Sequence, residues 1–223
     1  MEYELGPKGK RRLAAYVDGI GEILGHKKRR ESFACYAMGL LGEGERKSVE
    51  PIAARACPEP DKVDAAHQKL LHFVSESEWS DLDVRQYSAC YALSEMTLRD
   101  PVDAWILDDT GFLKQGTHSV GVQRQYTGSA GKIANCQIGV SLTIATQRDQ
   151  LPVDFELYLP RTWTDDVARR KEARIPNEIV FKTKLELGLD MIRRAIEAKL
   201  PRGVVLADSF YGDSAEFRAT LRS

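Results

Sequence analysis

The chain has 223 residues, of which 43% are hydrophobic, with 32 Lys+Arg against 33 Asp+Glu for a net charge of -1. That is enough apolar material for one large core or two modest ones, and the bulk charge by itself argues for no nucleic-acid or membrane partner. The cysteines Cys35, Cys57, Cys90 and Cys136 are widely spaced without a CxxC pair, so they suggest neither a zinc site nor a small disulfide framework and fit a reducing, cytoplasmic setting.

The charge is less even locally. In the first thirty residues the basic Lys8, Lys10, Arg11, Arg12 and Lys27 to Arg30 outnumber the acidic Glu2, Glu4, Asp18 and Glu22, a pattern that serves either a phosphate-contacting arm or a solvated helix face. The segment KKRRESFACYAMGLL, basic and then apolar, imitates a signal sequence. It starts at residue 27 and its apolar part is too short to cross a bilayer, so it reads as a helix in a protein that is neither secreted nor membrane-bound.

Residues 1–100 read as a helical domain, with possible DNA-binding use. Phe33, Ala37, Leu40 and Leu41 share one helical face, Val49, Ile52, Ala53 and Ala56 a second, and Leu70, Phe73 and Val74 a third. CPEPDK at 57–62 interrupts the pattern, and Asp61 or Asp64 is placed to cap the next helix. Pro101 marks a change of architecture, because the residue before proline disfavours helix.

Residues 101–223 read as a mixed α/β domain. AWIL at 104–107 predicts a short buried strand and VGVQRQY at 120–126 another. QIGVSLTIA and VDFELYL alternate apolar with small or polar residues, the period of half-buried antiparallel strands. Leu185, Leu189, Ile192 and Ile196 then predict one face of a helix over 184–198. GVVLAD follows as a continuous apolar run, typical of a central strand covered on both faces. In GDSAEFRATLR, Asp213 and Glu216 stand at capping-box spacing.

Two predicted strands therefore end in aspartate, WILDD and VVLAD. Side by side in one sheet, their carboxyl ends would share an edge, and converging carboxylates need a counter-charge such as Mg²⁺ or Mn²⁺. Taken singly the acids have plainer uses: Asp109 in Asp-Thr-Gly suits a turn, and Asp208 suits a helix cap. From Thr110 to Arg148 there is no acid, while Lys114, Arg124, Lys132 and Arg148 are present among several glycines. Such a surface suits either an approaching phosphate backbone or a charge-protected sheet edge. Gly128 and Gly131 do not form a nucleotide-binding P-loop, since the GK[ST] ending is missing.

Three stretches, ILDDTGFLKQGTHSVGVQRQYTGSAGKIANCQIGVSLTIA, LYLPRTWTDD and VVLADSFYGDSAEFRATL, together resemble the core of DDE-type insertion-sequence transposases, the DDE superfamily endonucleases. The resemblance covers roughly residues 103–223. It implies a ribonuclease H-like fold preceded by a helical region, and a site in which three acids hold two Mg²⁺ or Mn²⁺ ions for cutting and joining phosphodiester bonds. Its first aspartate falls on Asp108, with Asp109 the runner-up, because related groups carry Asp-x-Thr and Thr110 follows. Its second falls on Asp208. Lys114, Arg124 and Lys132 would then face DNA. The implied partner is double-stranded DNA at transposon ends, with a homodimer to bring two ends together, and no nucleotide cofactor.

The family's third acid is a glutamate on a later helix, whereas after Asp208 this sequence offers only Asp213 and Glu216, so a truncated transposase is expected. Two rivals stand beside this reading: a catalytically inactive DNA-binding or regulatory fragment, and an unrelated metal-dependent phosphohydrolase with aspartates at strand ends.

Overall fold

The structure is a computed structural model that describes residues 5–222; Glu2 and Glu4 of the amino-terminal charge pattern lie outside them. The chain divides into two compact units, one up to Tyr91 and one from Ala92.

In the first unit Pro7 opens α1 (Pro7–Leu24), where its missing N–H is no loss, and Gly25 closes it at φ 71° with its N–H on the Gly21 carbonyl. KKRRESFACYAMGLL forms α2 (Lys27–Leu41). There follow α3 (Val49–Ala56), α4 (Val63–Ser75) and α5 (Asp81–Met96), the last running past Tyr91. Ile20, Leu24 and Phe73 form one buried cluster, and Ile52, Ala53 and Leu70 another, so α4 contributes to both. Leu40, Leu41 and Val74, expected on buried faces, are exposed and rim an apolar groove with Phe33 and Trp79. Neither Asp61 nor Asp64 caps α4: Lys62 is the cap residue, and Asp64 lies inside the first turn, where its charge still complements the helix dipole.

The second unit is a five-stranded mixed sheet with helices. Its strands are β1 (Ala104–Leu113), β2 (Gln123–Thr127), β3 (Lys132–Ala145), β4 (Gln150–Tyr158) and β5 (Val204–Ala207). β1 lies between β3, antiparallel, and β5, parallel. The other edge of β3 is shared, β2 pairing with Lys132–Cys136 and β4 with Ile138–Ala145. Helices α6 (Arg161–Thr164), α7 (Val167–Glu172) and α8 (Lys184–Glu197) separate β4 from β5, and α9 (Ser209–Gly212) and α10 (Ala215–Thr220) follow it. A helical region followed by this mixed sheet, with a crossover helix into a parallel β5, is the expected α/β, ribonuclease H-like class.

One face of the sheet carries the core. Cys136, Ile138, Val140, Leu142 and Ile144 alternate onto it, all fully buried. α8 packs there through Leu187, Gly188, Met191, Ile192 and Ala195. That stripe is rotated from the expected one, and Ile196 is exposed. The reason is Gly188: a Cβ there would stand 3.1 Å from Leu107 Cδ1 and closer still to Cδ2, so the helix turns its hydrogen-only position to β1. Arg194 clamps α8 to β4, its Nε 2.8 Å from Asp154 Oδ2 and its Nη1 2.7 Å from Glu156 Oε1.

Three expectations, two for strands and one for a helix cap, are corrected. β1 does not end at Leu107 but runs to Leu113, because β3 pairs with it throughout, Asp109 opposite Val140 and Gly111 opposite Ile138. Asp109, Thr110 and Gly111 are therefore strand residues and not a turn. β5 is an edge strand with one open face, Val204 and Leu206 being 67% and 49% exposed, rather than a central strand covered on both sides. Finally, Ser214 caps α10 by accepting from Phe217 N, so Asp213 and Glu216 do not make a capping box; Asp213 closes α9 instead.

Candidate functional site

The parallel register of β1 and β5 sets Leu107 opposite Ala207, so Asp108 and Asp208 are the residues that follow the last paired positions of neighbouring segments. Asp108 lies on the open face, with Ile106 and Thr110, and is exposed. Its Oδ1 accepts from the Asp109 N–H at 2.8 Å. β5 ends at Ala207, and Asp208 caps α9, its Oδ1 accepting from Tyr211 N at 3.3 Å. Both plain readings of Asp208, strand-end acid and helix cap, thus describe one residue.

Asp109 points the other way. It shares the face of Leu107, and its Oδ2 meets Lys184 Nζ at 2.8 Å, with only 22% and 18% of the two side chains exposed. Thr183 fixes the start of α8 by a capping box with Glu186, and Lys184 is the residue that follows. The Thr183 amide and hydroxyl donate to Glu186, holding its carboxyl below the usual range. The Lys184 ammonium also lies 5.2 Å from the Phe210 ring centre and 5.9 Å from that of Tyr158.

Tyr211 completes the neighbourhood. Its side chain is fully buried, in ring contact with Phe210 and Phe217, and its hydroxyl has no hydrogen-bond partner. Burial pushes the phenol strongly up from its ordinary value, and the charges of Asp109, Asp208 and Asp108, in that order, push it further. The phenol is therefore a neutral donor that feels all three carboxylates.

Lys114, Arg124 and Lys132 are all exposed. Lys114 N donates to Asn135 O, Asn135 Nδ2 returns to Lys114 O and Gly116 O at 2.9 Å each, and Arg124 pairs with Asn135 across β2 and β3. By register, Lys114 and Arg124 share the open face of Asp108, whereas Lys132 falls on the opposite face. Glu216 lies in the first turn of α10. Among the described residues no group of three or more His, Cys, Asp or Glu side chains stands close enough to hold a metal ion.

A family model described as DDE superfamily endonuclease matches residues 20–223. The chain belongs to this family. Among curated proteins, a probable transposase for insertion sequence element IS701 from Microchaete diplosiphon is 27% identical over 188 residues, 83% of this chain. That stretch is 44% of the relative, so this DDE superfamily chain spans less than half of the relative's length. Enzymes of the superfamily generally use divalent metals. Hard carboxylate oxygens on exposed Asp108 and Asp208 are donors suited to such an ion. None of the described helices is long and apolar enough to cross a membrane.

Lys184 and Tyr211 were not identified from the sequence. The capping box TKLE would have fixed where α8 begins, and Asp208-x-x-Tyr211 has the spacing of an N-cap and its N3 residue. The partnership of Lys184 with Asp109 depends on the crossover and has no local signature.

Proposed function

We propose that the chain is the core-bearing part of an insertion-sequence transposase, which cuts and joins phosphodiester bonds at the element's ends by two-metal chemistry, with Asp108 and Asp208 as two of its three acids. The observation that carries this reading is the β1–β5 register in a DDE superfamily chain, which leaves two exposed aspartates on adjacent segments. Asp108 is preferred over Asp109 because Asp109 is engaged by Lys184 on the opposite face.

Asp108 and Asp208 would hold Mg²⁺ or Mn²⁺, which typically takes one or two carboxylates and completes its shell with water and phosphate oxygens. When bound, such ions activate a hydroxyl nucleophile and stabilise the leaving oxygen. The protein's own part is positional. The Asp109 N–H orients the Asp108 carboxylate, the Tyr211 N–H orients that of Asp208, and Lys184 offsets the charge of Asp109 so that the cluster carries one negative charge fewer. Lys114 and Arg124 would take the phosphate backbone on the open face, with Lys132 contributing from the other side.

The third acid would be a glutamate on a later helix, as the family resemblance implies. Residues 1–100 would form the helical, DNA-contacting domain and residues 101–223 the core. The protein would work in the cytoplasm on nucleoid DNA, as a homodimer that brings two ends together.

A second reading, a DNA-binding regulatory fragment without cleavage activity, is favoured by the absence of a three-acid cluster among the described residues. Incubating a polypeptide extended to the length of the IS701 relative with duplex carrying terminal inverted repeats and Mg²⁺ or Mn²⁺ separates the two. Nicking supports the catalytic reading, binding without nicking supports the regulatory one, and neither binding nor nicking contradicts both.

A further inference from the structure

A fully buried tyrosine hydroxyl without a partner is a costly arrangement, worth about 1–3 kcal/mol when the group is also cut off from water. Tyr211 is such a group. Its ring is held on two sides, 5.2 Å from Phe210 edge to face and 5.8 Å from Phe217, and its backbone N–H is already engaged by Asp208. The hydroxyl is thus carried at the end of a rigid ring with little freedom to seek another acceptor. The charges it feels are those of Asp109, Asp208 and Asp108. Asp109 is paired with Lys184, which leaves Asp108 and Asp208, the exposed pair, as the carboxylates able to change partners.

We propose that Tyr211 is a positioning residue of the Asp108–Asp208 site, its hydroxyl donating a hydrogen bond to a carboxylate oxygen or to water in the shell of a divalent ion held there. This inference rests on the reading of Asp108 and Asp208 as metal ligands. A hydroxyl suits the task because it can donate a hydrogen bond without bringing a formal charge to the site. It also stands on the same four-residue helix that Asp208 caps, so helix, ligand and donor move as one body. Outer hydrogen bonds of this kind fix ligand orientation, and their loss typically lowers metal affinity by about 10–100-fold.

Mn²⁺ titration of the chain, with free ion read by electron paramagnetic resonance, tests this on the wild type, Asp108→Asn, Asp208→Asn and Tyr211→Phe, alongside thermal unfolding in metal-free buffer. Tyr211→Phe keeps the ring and removes only the hydroxyl. The expected result is loss of Mn²⁺ binding in both aspartate variants and roughly tenfold weaker binding in Tyr211→Phe, with metal-free stability unchanged or raised. Mn²⁺ affinity within about twofold of wild type in Tyr211→Phe, while both aspartate variants lose the ion, overturns the role of Tyr211 alone. Undiminished binding in Asp108→Asn or Asp208→Asn, or none in the wild type, overturns the site and the inference with it. A metal-free Tyr211→Phe that melts lower than wild type shows instead that the hydroxyl serves packing, and also overturns the inference.

Discussion

Asp109 Oδ2 lies 2.8 Å from Lys184 Nζ, linking the middle of β1 to the first residue of α8 across 75 positions of sequence. The pair belongs to one of two aspartates that are adjacent in the sequence and lie on opposite faces of β1. Asp109 faces the helix and has a cation; Asp108 faces outward and has a backbone N–H.

Asp109→Asn should therefore be a stability variant. It leaves a mostly buried ammonium without its carboxylate, at a cost of about 1–3 kcal/mol, and lowers the melting temperature while Mn²⁺ affinity holds. Asp108→Asn should do the reverse, losing the ion with stability unchanged or raised, since it removes a charge beside Asp208. Calorimetry and Mn²⁺ titration on both variants check the assignment.

Gly111 is required by close approach and not by turn geometry. Thr127 is fully buried beside it, bonded to Ser129 Oγ at 2.8 Å, and Ser129 donates to the Gly111 carbonyl at 2.6 Å. A Cβ at Gly111 would stand 2.6 Å from Thr127 Cβ and closer to its hydroxyl. Gly111→Ala should destabilise by about 1–3 kcal/mol in chemical denaturation. Gly128→Ala, with open space at its Cβ, should be close to neutral.

The Tyr211 phenol is pushed up in the fold, so its protonated form is the one the native state favours. The unfolded chain releases this proton first as pH rises past the ordinary tyrosine value near 10, so the native state then binds more protons and stability falls with increasing pH. The contribution is complete below about pH 10 and is lost above it. Tyr211→Phe should show a shallower alkaline loss of stability than wild type, measured by denaturant unfolding across that range.

Lys114 and Arg124 share the face of Asp108, and Lys132 does not. Replacing Lys114 or Arg124 by alanine should weaken duplex binding across sequences and reduce the slope of log K against log salt by about 1 each. Lys132→Ala should change both less. Fluorescence anisotropy at several salt concentrations measures these slopes; the largest effect from Lys132 would place DNA on the other face.

Much of this unit was legible in the sequence because period and composition are local properties. The alternation from Gln137 to Ala145, the helix at 184 and an aspartate at the end of each of two apolar runs could all be read directly. What could not be read depends on partners. β1 continues through Asp-Thr-Gly only because β3 is long enough to pair with it, and pairing outweighs the turn preference of those residues. The stripe of α8 is rotated because Gly188 fits Leu107, which hydrophobicity alone cannot reveal. Among the described residues β5 pairs with β1 alone, a strand order that its continuous apolar run does not reveal. The Lys184–Asp109 pair and the burial of Tyr211 likewise depend on the crossover and on packing, which leave no local pattern.

Metal-dependent cleavage by the proposed mechanism requires both Asp108 and Asp208. The direct measurement is Mg²⁺- or Mn²⁺-dependent nicking of terminal inverted repeat DNA by a polypeptide extended to the length of the IS701 relative, comparing wild type, Asp108→Asn, Asp109→Asn, Asp208→Asn and the Asp108/Asp208 double variant. The predicted result is a loss of about 10³-fold or more in Asp108→Asn and in Asp208→Asn, with the double variant no worse than either and Asp109→Asn retaining cleavage once folded. Metal-dependent cleavage surviving in the double variant would contradict the account.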